Sequence, residues 1–159
     1  MGGMSRRKAM IKVKGVPGLA DFVCANGIGI RSGKLVLYKA VSKEWGSLWV
    51  RNITDNGVGR SNVYCLGTLV SCRRWNSDRD KGCGQGLHVG TWDCAVYFAR
   101  NGFLGDFDRR VVEVLVDPED VVCVPYQSKF RSRHNKKIRC RRLLVAAEMD
   151  IKTKKEKSK

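Results

Sequence analysis

The chain has 159 residues, 43% apolar and 29% charged, with 31 Lys/Arg against 15 Asp/Glu and a net charge of +16. That length fits one domain, able to bury about two-thirds of the surface its unfolded form exposes, and the apolar content excludes global disorder. No apolar run approaches the ~20 residues that cross a bilayer, the basic start is followed by no apolar signal stretch, and Arg6 stands where a myristoylation pattern needs Ser or Thr.

Residues 1–14 read as a flexible basic arm and 151–159 as a basic tail, leaving one domain over 15–150. Pro17 to Asn26 reads as a short helix with Leu19, Phe22 and Val23 on one face and Gly27 as its stop. Leu35 to Val41 alternates as a strand, with Leu35, Leu37 and Lys39 on one side and Val36, Tyr38 and Ala40 on the other. Asn52 to Ser61 is loop, Val63 to Cys72 reads as one strand, and Arg73 to Gly86 as a long polar connection. Thr91 is placed to cap a helix reaching Asn101, in which Trp92, Ala95, Val96 and Ala99 recur at helical spacing. Val111 to Val116 is almost continuously β-branched, as a central strand would be. The turn Asp117 to Asp120 leads to a strand over Val121 to Pro125, and Lys137 to Ala147 reads as another. The whole is an α+β domain: a mixed or antiparallel sheet with two short helices.

The charge is uneven. Residues 1–33 carry +5, residues 34–127 only +1, and residues 128–159 carry +10. Clustered positive charge is the footprint expected for a polyanionic partner. Within the basic third, Lys129 to Arg142 holds eight Lys/Arg, no acid and one aromatic, Phe130. Strand alternation puts Lys137, Arg139 and Arg141 on one face, with Ile138 and Cys140 opposite. Lys129, Arg131, Arg133, Lys136, Lys137, Arg139, Arg141 and Arg142 are the expected phosphate contacts, with Phe130 available for base stacking. Such contacts position a nucleic acid without specifying its sequence.

The seven cysteines (Cys24, Cys65, Cys72, Cys83, Cys94, Cys123 and Cys140) are odd in number, several lie in apolar runs, and they read as reduced thiols of a cytosolic protein. Cys72, Cys83, His88 and Cys94 lack the close ligand pairs of a structural zinc site, so neither metal nor cofactor is expected. The glycines at 82, 84 and 86 lack the phosphate-loop spacing and its Lys-Ser/Thr ending. His88 and His134 are the only histidines, and neither forms a triad pattern.

Four segments in order, LVLYKAV (35–41), CGQGLHVGTWDCAVYFA (83–99), RVVEVLVDPEDVVCVP (110–125) and KIRCRRLLV (137–145), resemble the C-terminal domain of the phage rIIB-like proteins over residues 34–149. The resemblance implies a phage-encoded protein acting in the host cytoplasm, linked to host interaction and to overcoming exclusion, with no established chemistry. The long N-terminal portion of full-length rIIB proteins has no counterpart in this chain. The layout is also similar to that of ADP-ribosyltransferases, with Lys39 or Tyr38, His88 and Glu148 as nearest counterparts of their cofactor-holding residues. That likeness lacks the expected glutamate, because its position falls among Lys137 to Arg141, and without the carboxylate transfer is expected to be weak or absent. The expectation is therefore a non-enzymatic accessory protein that binds nucleic acid. A nicotinamide-dependent transferase and an inhibitor docking on an acidic host protein are the alternatives.

Overall fold

The computed structural model describes residues 16–46, 63–82, 84–100 and 109–151. The expected arm over 1–14, the loop Asn52 to Ser61, Cys83, Asn101 and the tail beyond Ile151 lie outside the described residues.

Helix α1 spans Leu19–Ala25 and buries Leu19 and Phe22. Gly18 precedes it at φ 86°, a left-handed conformation open to glycine at no steric cost. Asn26 closes the helix, its side-chain amide donating to the Phe22 carbonyl at 2.9 Å. Helix α2, Trp92–Arg100, starts at Thr91, whose Oγ1 accepts from the Cys94 amide at 3.2 Å as expected of a cap. It buries Cys94, Ala95 and Ala99.

Eight strands form one sheet: β1 Gly29–Arg31, β2 Lys34–Val41, β3 Leu69–Ser71, β4 Leu87–Gly90, β5 Arg110–Val116, β6 Val121–Cys123, β7 Lys137–Cys140 and β8 Arg142–Met149. Their order is β3-β8-β5-β2-β4-β7-β6, with β1 paired to β2, and every pairing is antiparallel. Of the two arrangements expected, mixed or antiparallel, the sheet is the second.

Two expected strands are corrected. Val63 to Cys72 is not one strand: Val63 makes an isolated bridge with Gly46, and a turn at Leu66 and Gly67 separates it from β3. Gly67 takes φ 79° there, and the Thr68 amide bonds the Cys65 carbonyl at 3.1 Å. Lys137 to Ala147 is two strands that part at Arg141. β7 pairs with β4 and β6, whereas β8 pairs with β5 and β3 at the other end of the order.

That parting curls the sheet. β7 and β8 are joined by one residue, yet β4, β2 and β5 lie between them along the ladder, so the sheet bends until its ends meet. At the seam the Arg141 amide bonds the Asp120 carbonyl beside β6 at 2.8 Å, and its carbonyl accepts from the Cys72 amide beside β3 at 3.0 Å. The concave side holds the main core, to which every strand but β1 contributes: Leu35 and Leu37, Val70, Val89, Val112 and Val114, Val121, Ile138, Leu143 and Val145 among them. The convex side of β2 and β5 is covered by α2 through a smaller cluster of Ala40, Ala95, Ala99 and Val111. Strands buried on both faces read as continuous apolar runs, which is why β5 looks like one.

Candidate functional site

The expected stripe on Lys137, Arg139 and Arg141 does not form, and Arg139 is the correction that matters. Its side chain is fully buried. Nε donates to the Asn76 carbonyl at 2.9 Å, Nη2 to the Asp78 carbonyl at 2.6 Å and to Cys123 Sγ at 3.0 Å, and Nη1 to the Lys81 carbonyl. The alternation was read correctly, because Arg139 does point away from Ile138 and Cys140. That face of β7, however, is roofed by the connection between β3 and β4, not by water. Arg139 gives this connection what it lacks in regular structure, namely donors for its carbonyls. Gly84 belongs to the same arrangement: a Cβ there would lie 3.1 Å from Arg139 Cζ.

Other cations of the basic segment are also engaged. Arg141 Nε and Arg142 Nε bind the two oxygens of the buried Asp120 carboxylate at 2.9 and 3.2 Å. Lys136 Nζ donates to the Ser128 carbonyl at 2.8 Å. Lys137 Nζ sits 5.4 Å from the Phe98 ring centroid. Lys129, Phe130, Arg131 and Arg133 remain exposed, and the three cations have no acidic partner among the described residues. Phe130 is 59% exposed and nearby Tyr126 47%. The Tyr126 ring is stacked by the Arg79 guanidinium at 4.2 Å. Two short 3₁₀ turns, Tyr126–Lys129 and Arg133–Asn135, hold this segment on the surface.

Beside it opens a cavity of about 390 Å³ on the convex side, between α2 and the strands β2, β4 and β7. Tyr38, Phe98 and His134 give it aromatic walls; Lys39, Lys137 and His88 give it polar ones. Gly90 lies in the wall where a Cβ would meet the Lys136 carbonyl at 2.5 Å and Cys94 Sγ at 3.1 Å. β2 and β4 pair at a single position, Tyr38 with Gly90. Next to it Lys39 Nζ donates to the His88 carbonyl at 2.8 Å. Burial lowers the Lys39 ammonium to about 8. His88 is lowered to about 3, first by burial, then by the charges of Lys39, Lys137 and Arg139, so at neutral pH its ring is uncharged. Its Nε2 is buried without a hydrogen-bond partner among the described residues. Burial also raises the Cys94 thiol in the cavity wall to about 11, so it stays protonated at neutral pH.

The three residues compared with transferase positions do not converge. Lys39 and His88 share the cavity, but Glu148 does not line it; on β8 it pairs with Arg110 at 3.0 Å. Among the described residues no group of His, Cys, Asp or Glu is placed to hold a metal ion, no helix is long and apolar enough to cross a membrane, and six cysteines are free thiols. Sequence reasoning missed β1 and β4 as strands, and missed the cavity. Gly90 followed by Cys94 and Ala95 was the available sign of a close strand–helix approach.

With this geometry in place, comparison with known proteins is informative. The model for the family described as bacteriophage T4 protein rIIB matches residues 8–156. The chain belongs to that family. Protein rIIB of Enterobacteria phage T4 is 33% identical over 113 residues, which cover 70% of this chain and 32% of the T4 protein. The chain thus spans about a third of the length of that relative. No solved structure matches. The family assignment agrees with the resemblance carried by the four segments, and it places the described sheet within the rIIB family.

Proposed function

We propose that the chain is a non-enzymatic phage accessory protein that acts inside the host cell and binds single-stranded nucleic acid through the segment Lys129 to Lys136. One observation carries this reading: Lys129, Arg131 and Arg133 are exposed with no acidic partner among the described residues, and they interleave with an exposed Phe130. Unpaired cations track a phosphate backbone, and an exposed ring offers a stacking platform that any base fits. Arg139 takes no part, and Arg141 and Arg142, sharing Asp120, contribute less than their count suggests. The nicotinamide-dependent alternative has less support, since no carboxylate lines the cavity that holds Lys39 and His88.

The test is fluorescence anisotropy with a labelled single-stranded oligonucleotide at low salt. Wild type binds, and log affinity falls against log salt with a slope of roughly −2 to −3, the value for three or four phosphate contacts on a single strand. The triple variant Lys129→Glu, Arg131→Glu, Arg133→Glu loses that binding, and Phe130→Ala weakens it by about 1–3 kcal/mol. Undiminished binding by a folded triple variant rejects the proposal, as does absence of wild-type binding at 50 mM salt or below, a condition of about the low-salt limit at which phosphate contacts are strongest.

A further inference from the structure

The cavity beside the basic segment has a composition that a purely structural gap does not need. About 390 Å³ lies within the range of small-molecule sites, roughly 300–1,000 Å³. Its apolar wall carries three aromatic rings, those of Tyr38, Phe98 and His134. Its polar wall carries two ammonium groups and no carboxylate. Two cations facing one partly apolar space without an acid are uncompensated, and an anionic occupant would relieve both. The neutral His88 ring adds a second unmet demand, a buried Nε2 with no partner among the described residues. Gly90 keeps the wall low, because any side chain there would collide with the Lys136 carbonyl and with Cys94 Sγ. Planar apolar surface combined with positive charge selects an aromatic anion.

We propose that this cavity binds a nucleoside monophosphate, free or as the end of a strand, with its base among the Tyr38, Phe98 and His134 rings and its phosphate toward Lys39 and Lys137. Among aromatic anions, the nucleotide is the one favoured by position. His134 and Lys137 line the cavity, and they directly follow the exposed cations Lys129, Arg131 and Arg133 in the chain. The strand-borne form rests on the nucleic-acid reading above; the free form does not.

The chain has two histidines, and both line the cavity, so histidine ring signals in an NMR titration report its occupancy directly. The full chain at neutral pH is titrated with 5′-AMP, and separately with adenosine and with inorganic phosphate. The expected result is a saturable shift of both histidines with 5′-AMP, at least tenfold tighter than with either part alone. Lys137→Met, checked for an unchanged unfolding temperature, should weaken 5′-AMP binding tenfold or more. No shift at millimolar 5′-AMP overturns the inference, and so does adenosine or phosphate alone matching 5′-AMP. The wild-type titration decides even where the variant fails to fold. Oligonucleotides with and without a 5′-phosphate separate the two sources, since only a strand-borne ligand requires the phosphorylated end to shift the same signals. Strand binding with no response to 5′-AMP sinks this inference and leaves the nucleic-acid reading intact; a 5′-AMP response without strand binding does the reverse.

Discussion

Replacing Arg139 by Met should unfold the connection between β3 and β4 rather than alter any surface charge. Arg139 supplies donors to the carbonyls of Asn76, Asp78 and Lys81, three positions along a segment with little regular structure of its own. Met fills a similar volume but donates nothing. Leaving three carbonyls unbonded at about 1–3 kcal/mol each sets an upper range of roughly 3–9 kcal/mol. Water reaching the loop and removal of the buried charge both reduce it, and breaking comparable buried polar arrangements costs about 3–5 kcal/mol. At about 2–4 °C per kcal/mol for a domain of this size, the melting temperature should fall by roughly 6–20 °C. Arg139→Lys should recover little, since a single ammonium cannot span the three acceptors that the guanidinium fork reaches. Chemical denaturation and thermal unfolding followed by circular dichroism measure both variants. A loss below about 1 kcal/mol, the size of an ordinary surface change, would refute the reasoning, most plainly if nucleic-acid binding dropped while stability stayed.

Three more predictions concern the same region. With His88 near 3 when folded and near 6.5 when unfolded, the unfolded state takes up a proton first, so stability holds above pH 6.5 and is lost as pH falls toward 3. The loss approaches 1.4 kcal/mol per pH unit at most, and it should appear as the difference between the pH–stability curves of wild type and His88→Gln; parallel curves would exclude it. Asp120→Asn removes the partner of Arg141 and Arg142 at the seam, so stability should fall by about 1–3 kcal/mol while retention on a heparin column rises; unchanged retention would mean the two cations stay engaged elsewhere. Gly90→Ala places a methyl group 2.5 Å from the Lys136 carbonyl, and the forced backbone shift should cost about 1–3 kcal/mol by denaturant titration. A neutral result would show that the strand gives way freely.

Local patterns in the chain carried much of the fold. The β-branched run in β5, the alternation of β2 and the Thr91 cap are each written in a few adjacent residues, and each element stands close to where those residues place it. What could not be read was long-range. Nothing near Arg139 says that residues 76–81 will cover it, so an alternating cation in a basic run looks exposed when it is a loop's central donor. The break at Arg141 is likewise invisible in KIRCRRLLV, because it depends on which strands lie to either side rather than on a turn residue. The exposure of Lys129 to Arg133 was legible, since polar residues there follow Pro125 without any apolar period. The cavity was not, because its walls come from four separate segments.

The position of β8 has a practical consequence. Although late in the chain, it lies inside the ladder, with β5 on one flank and β3 on the other. Deleting residues from 142 onward would therefore strip partners from two strands at once, opening the valine-rich β5 to intermolecular pairing. Shortened versions of the chain should precipitate, whereas those ending beyond Met149 keep the sheet whole.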